Sequence, residues 1–171
     1  MEPKIIQLPE LVLAGFSFFG DPFQLSGGWT EENEIGRLWN RFMSYIMQYS
    51  SQLPPLEEER VSYEVHIMHP ETKERGEYEV FVGMHIKHLE GVPLEFCVKV
   101  LPASEYAVFT LQGQQIASDW EQTVVADWFA RSGYTGDERF GFQRYDERFK
   151  GLERIEESVL DIYVPISKAE K

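Results

Sequence analysis

Two stretches of this 171-residue chain run through the same order of elements, and that repetition limits the fold more than any other feature. KIIQLPELVLAGF from Lys4 is matched by KVLPASEYAVF from Lys99. VSYEV from Val61 is matched by GFQRY from Gly141, and EVFVG from Glu79 by DIYVP from Asp161. Each stretch reads strand, helix, strand, strand. In the first, residues 4–19 are extended and interrupted at Pro9, and the loop DPFQLSGGW follows. Thr30 is the predicted N-cap of a helix, with Glu31 and Glu32 in its first turn. Ile35, Leu38, Trp39, Phe42, Ile46 and Tyr49 recur at helical spacing and form its apolar face. Residues 61–69 and 77–88 alternate and make a hairpin. In the second stretch, residues 98–111 are extended, and a helix is predicted over 114–132 with Ile116, Trp120, Val124, Trp128 and Phe129 on one face. Gly133 caps it. FGFQRYDERF and VLDIYVPIS close the pattern as a second hairpin.

Two units of about 80–95 residues are too few and too long for a solenoid array. They predict one domain, with internal repeats over about residues 1–90 and 96–168. The expected class is α+β: duplicated strand–helix–strand–strand units, two helices on one face of an antiparallel sheet and a central cleft on the other.

Side-chain alternation indicates what lines that cleft. In 77–88 the continuous apolar series is even-numbered, so it is expected to face the helices, leaving Phe81, Gly83 and His85 on the far side. In 158–166 the same rule puts Leu160, Ile162, Val164 and Ile166 under the helices and Tyr163 on the far side. With Val61, Tyr63, Val65 and Ile67 taken as core, Glu64 and His66 join the far face. With Phe140 and Phe142 taken as core, Gln143 and Tyr145 join it too. Aromatics around a few polar groups suit a small-molecule cleft. The candidate ligand-binding residues are Trp39, Glu64, His66, Phe81, Gln143, Tyr145 and Tyr163.

Charge and motifs remove other classes. The net charge of −13 repels phosphate backbones, so direct nucleic-acid binding is not expected. No apolar run approaches the roughly 18 residues a membrane span needs. The N-terminus lacks a secretory leader pattern. The single cysteine, Cys97, forms no intramolecular disulfide, and the cytoplasm is the expected compartment. His66 and His69, like His85 and His88, are three apart on strands and so face opposite ways, and no metal site is expected. No fingerprint for a nucleotide or other cofactor is present.

LPASEYAVF, a Trp-containing helix ending at SGY, FQRYDERF and DIYVPI, together with LPELVLAG and FVGMHI, resemble the GyrI-like effector-binding domain. That module is attached to many AraC-type and MerR-type bacterial transcription regulators. The resemblance implies a duplicated fold with a central cleft for hydrophobic, often cationic effectors or drugs. The family's usual F-E-x-Y run is Phe142-Gln143-Arg144-Tyr145 here, so Gln143 stands where a carboxylate is usual and Glu64 is its counterpart in the first half. With no DNA-binding half apparent, the chain resembles the stand-alone members. The leading expectation is a non-enzymatic binder of apolar or amphipathic ligands. One alternative is a hydrolase of cyclopropane-containing compounds with Glu64 as its acid/base catalyst. A third is a protein partner, with the acidic surface inhibiting a DNA-binding enzyme.

Overall fold

Two prolines set where the extended segments break, because a proline cannot donate to a ladder. Pro9 separates β1 (Lys4–Leu8) from β2 (Leu11–Gly20), and Pro102 separates β5 (Cys97–Leu101) from β6 (Ser104–Gln112). The computed structural model describes residues 1–28 and 30–169; Trp29, at the end of the DPFQLSGGW loop, lies outside them. β1 pairs β6 and β5 pairs β2 in one register: Lys4 opposite Val108, Leu8 opposite Ser104, Leu11 opposite Leu101, Gly15 opposite Cys97. Each half therefore sends its first strand across to the other half.

Helix α1 (Glu34–Gln48) begins one turn later than expected. Its cap is Asn33, whose Oδ1 accepts from the Gly36 N–H at 2.9 Å, while Nδ2 donates to the Gly28 carbonyl at 2.8 Å. Thr30 instead accepts from the Glu32 N–H, within the loop. Asn33 serves loop and helix together and is buried, whereas Thr30 is half-buried and its hydroxyl is engaged within the loop. Asn33→Ala is expected to cost about 1 kcal/mol and to lower Tm by about 2–4 °C in a thermal melt.

The first half continues with β3 (Ser62–Ile67), a one-turn α2 (Thr72–Arg75) and β4 (Tyr78–His85). In the second half the expected helix over 114–132 is broken. A 3₁₀ turn, Gly113–Gln115, is followed by irregular chain, then a π-helical turn, Glu121–Ala126, running into α3 (Asp127–Ser132). Asp119 explains the break. Its side chain and carbonyl accept from residues 122 and 123, restarting the helix there. Gly133 ends α3 at φ 72°, the expected left-handed cap. A short β7 (Tyr134–Gly136), not anticipated from the sequence, precedes β8 (Phe140–Tyr145) and β9 (Val159–Lys168).

The nine strands found among the described residues form one antiparallel sheet in the order β1-β6-β9-β8-β3-β4-β2-β5, with β7 on the far end of β9. α1 lays Leu38 and Phe42 on Ala14, Phe16, Val80, Val82 and Met84. α3 lays Trp128 on Ala107, Phe109, Leu160 and Ile162. Burying such a side chain contributes roughly 1.5–3 kcal/mol. Both helices sit on the same face, as expected. The other face carries its own apolar cluster, with Leu11, Leu13, Tyr63, Val65, Phe81, Leu101, Tyr106 and Phe142 drawn from both ends of the sheet. Strands that are distant in the sheet order share this cluster because the sheet curls and its ends meet along the crossed ribbon of β1–β2 and β5–β6.

That second core overturns the expected position of the cleft. The central strands turn the apolar series Val61, Tyr63, Val65 and Phe140, Phe142 into the curled face. Register then places Glu64 beside Val82 and Gln143, and Gln143 beside Ile162. Glu64 and Gln143 thus lie on the helix-bearing face, and the cleft opens between the two helices rather than behind the sheet.

Candidate functional site

β3 and β8 are the two middle strands, and Glu64 and Gln143 are direct partners across them. A strand flanked on both faces usually carries apolar residues on both. Here the helix-side positions Ser62, Glu64 and His66 on β3, and Gln143 and Tyr145 on β8, are mostly polar. The helices do not close over them. α1 covers the first half and α3 the second, leaving a cleft of about 1000 Å³ whose floor these residues form. A second hollow of about 790 Å³ shares Glu64, His66, Gln143 and Trp120 with it and continues beneath α3 to Tyr134.

Glu64 is the centre of the floor, with only 4% of its surface exposed. Its Oε2 accepts from the Trp39 indole Nε1–H at 2.5 Å, and its Oε1 lies 2.8 Å from His66 Nε2. The Tyr145 hydroxyl stands 3.5 Å from Oε2, but its one proton serves a 2.7 Å bond to Gln143 Oε1. That bond sets the Gln143 amide, whose nitrogen has no protein partner among the described residues. A buried carboxylate needs such donors to offset its desolvation. Burial first, then the Glu64 charge, holds the Tyr145 phenol well above its ordinary value, so it stays protonated. Tyr78, at the edge of the cleft on β4, is raised for the same two reasons in the same order.

The walls are aromatic. Trp39 meets Tyr145 edge-on at 4.7 Å between ring centroids, Tyr145 meets Phe149 at 4.9 Å, and His66 lies 5.4 Å from Tyr78. Trp120, Phe23 and Met43 complete the rim. Asp146 also borders the cleft, but Arg148 and Arg144 pair with it, and the Arg148 hydrogen bonds lead in pulling its carboxyl down to about 2.

Five of the seven residues expected to bind ligand converge here: Trp39, Glu64, His66, Gln143 and Tyr145. Phe81 does not. It is fully buried on the curled face, where Val65 is its cross-strand partner. Tyr163 borders the second hollow, yet its ring turns to the curled face and stacks on Phe142 at 4.5 Å. The sequence reading missed Tyr78, Phe149 and Trp120 as cleft residues. Tyr78 and Trp120 belong to apolar series assigned to the core, and only the gap between the helices shows that both series run past the packed part. Among the described residues, no group of three or more His, Cys, Asp or Glu gathers to hold a metal ion, and no helix is long and apolar enough to cross a membrane.

A curled antiparallel sheet with one helix per half, flanking an aromatic cleft, is the GyrI-like effector-binding fold. More specifically, the family model described as Cass2, integron-associated effector binding protein, matches residues 4–166, and the chain belongs to that family. The transcriptional regulator BrlR of Pseudomonas aeruginosa PAO1 is 28% identical over 168 residues, which is 97% of this chain and 56% of BrlR. The chain therefore spans about half the length of that regulator. Among solved structures, SAV2435 bound to tetraphenylphosphonium superposes with a TM-score of 0.70 at 18% identity, covering 98% of this chain and 94% of that one. The integron cassette protein Cass2 of Vibrio cholerae gives 0.62 at 14% identity, covering 97% and 96%. These likenesses establish the fold, and the chain is related to the effector-binding domains of transcription regulators.

Proposed function

We propose that the cleft binds a small hydrophobic or amphipathic organic molecule. The carrying observation is the Glu64 carboxylate, nearly removed from solvent at the centre of an open, aromatic-walled space. A carboxylate so buried serves no surface purpose, and its donors leave the side facing the cleft lined by aromatic rings. Flat apolar walls supply affinity, and one charged group orients the ligand. The tetraphenylphosphonium held by SAV2435, a bulky aromatic monocation, has the chemistry that such a site would take.

Tetraphenylphosphonium and the neutral, similarly shaped triphenylphosphine oxide are the probes. A ligand at about one hundred times its Kd adds about 2.7 kcal/mol, raising Tm by about 5–10 °C. Absence of any shift with either probe, together with no heat of binding in calorimetry, would overturn the reading.

A further inference from the structure

Glu64 is not left alone to meet a ligand's charge. On the same face of β3, two residues on, His66 Nε2 lies 2.8 Å from Glu64 Oε1, with the Glu64 side chain 5% and the His66 side chain 20% exposed. The carboxylate offers only acceptors at that distance, so Nε2 carries a proton whenever the contact is made, and Nδ1 is the nitrogen that gains or loses one. A proton on Nδ1 turns the pair into a buried carboxylate with its own cation in contact.

We infer that His66 determines the charge class of the ligand by acting as the cleft's resident counter-ion. With His66 protonated, Glu64 is already neutralised, and the cleft favours neutral amphiphiles. With His66 neutral, the Glu64 charge is uncompensated, and an aromatic monocation takes the place of the imidazolium. Cation binding and protonation of His66 therefore compete for one carboxylate, and by linkage each weakens the other by the same factor.

The surroundings leave this competition to the pair. Tyr78 from β4 and Tyr145 from β8 face it as protonated phenols, and Gln143 is uncharged. α1 presents the Trp39 N–H. From the π-helical side come Glu121 and, just before it, Asp119, both exposed; Glu31 and Arg60 stand on the rim, also exposed. Solvent screens these four far more than it screens Glu64. Asp146 is paired with two arginines, and Glu138 with Lys73. His69, His85 and His88 do not border either hollow.

The inference rests on the cleft being a binding site, and the test separates the two. The full chain is titrated calorimetrically with tetraphenylphosphonium and with triphenylphosphine oxide from about pH 5.5 to about pH 8.5, the range across which imidazoles change charge. The association constant for the cation is expected to rise by up to about tenfold per pH unit on the acid side and to level off on the alkaline side. In the middle of that rise, cation binding releases up to about one proton, read from the buffer dependence of the heat. The neutral probe shows no such slope. His66→Gln abolishes the slope for the cation, and His66→Lys, with a permanent charge, binds the cation weakly at every pH. A flat cation profile without proton release in the unmodified chain overturns the inference while leaving the binding reading intact. So does an unchanged slope in His66→Gln. Failure of both probes to bind at any pH overturns both. Should His66→Gln not fold, proton release by the unmodified chain decides alone.

Discussion

Glu64→Gln is expected to weaken tetraphenylphosphonium binding by about one hundredfold, the largest functional effect of any single substitution in the cleft. Losing one partner of a buried, hydrogen-bonded charge pair costs about 2–5 kcal/mol, and each 1.4 kcal/mol is about tenfold in Kd. Glutamine isolates the charge because it preserves the contacts. Its carbonyl oxygen accepts from Trp39 Nε1, where Glu64 Oε2 accepts now. Its amide donates to His66 once the imidazole moves its proton to Nδ1, a change between tautomers that a histidine makes at small cost. Stability is therefore expected to change by no more than about 1 kcal/mol, the worth of one imperfect hydrogen bond. Triphenylphosphine oxide, lacking charge, is expected to lose severalfold at most. Calorimetric titration of both probes, beside a thermal melt, checks all three expectations. A cation affinity within about twofold of the unmodified chain would show that the Glu64 charge takes no part.

Order of elements was legible in the sequence because it depends on local signals. The Pro9 and Pro102 breaks, the helical stripe of Leu38, Trp39 and Phe42, and the Gly133 cap are each properties of a few neighbouring residues. The face on which the cleft lies was not legible, for a reason that alternation alone cannot reveal. Alternation separates two sides of a strand, and it names the core side only when one side is wet. Both sides of this sheet are buried, one under helices and one inside its own curl. On β4 the even series Val80, Val82 and Met84 goes to α1, but Phe81 on the odd series is buried as completely. On β3 the stronger apolar series, Tyr63 and Val65, goes to the curl. Assigning the apolar side of every strand to the helices put β3 and β8 in the wrong phase relative to β4 and β9. Glu64 and Gln143 were still found, because a polar residue in the middle of a central strand stands out in either phase. Their grouping with Phe81 and Tyr163 failed, because that grouping depended on the phase. The helix over 114–132 failed differently. Its apolar spacing is real, but Asp119 competes for the backbone and restarts the helix, and this shapes the cleft wall beside Trp120.

Phe81→Ala tests the face assignment directly and carries the largest expected effect on stability. Phe81 is fully buried in the curled-face core, and truncation of such a ring costs about 3–5 kcal/mol. At about 2–4 °C per kcal/mol, Tm falls by roughly 6–20 °C. Titrated well below that Tm, the variant is expected to bind tetraphenylphosphonium as the unmodified chain does, because the thickness of the sheet lies between the ring and the cleft. Trp39→Ala should show the opposite pattern. Trp39 is only partly buried, walls the cleft and donates to Glu64, so its loss removes an aromatic wall and a charge-orienting donor together. Its affinity loss is expected to exceed tenfold, about 1.4 kcal/mol, with a smaller fall in Tm than Phe81→Ala. Had the cleft lain behind the sheet, Phe81 would be its wall and the two variants would exchange behaviours. If Phe81→Ala does not fold, Phe81→Leu keeps most of the volume and still separates stability from binding. A cation affinity lowered in Phe81→Leu as far as in Trp39→Ala would return the cleft to the curled face.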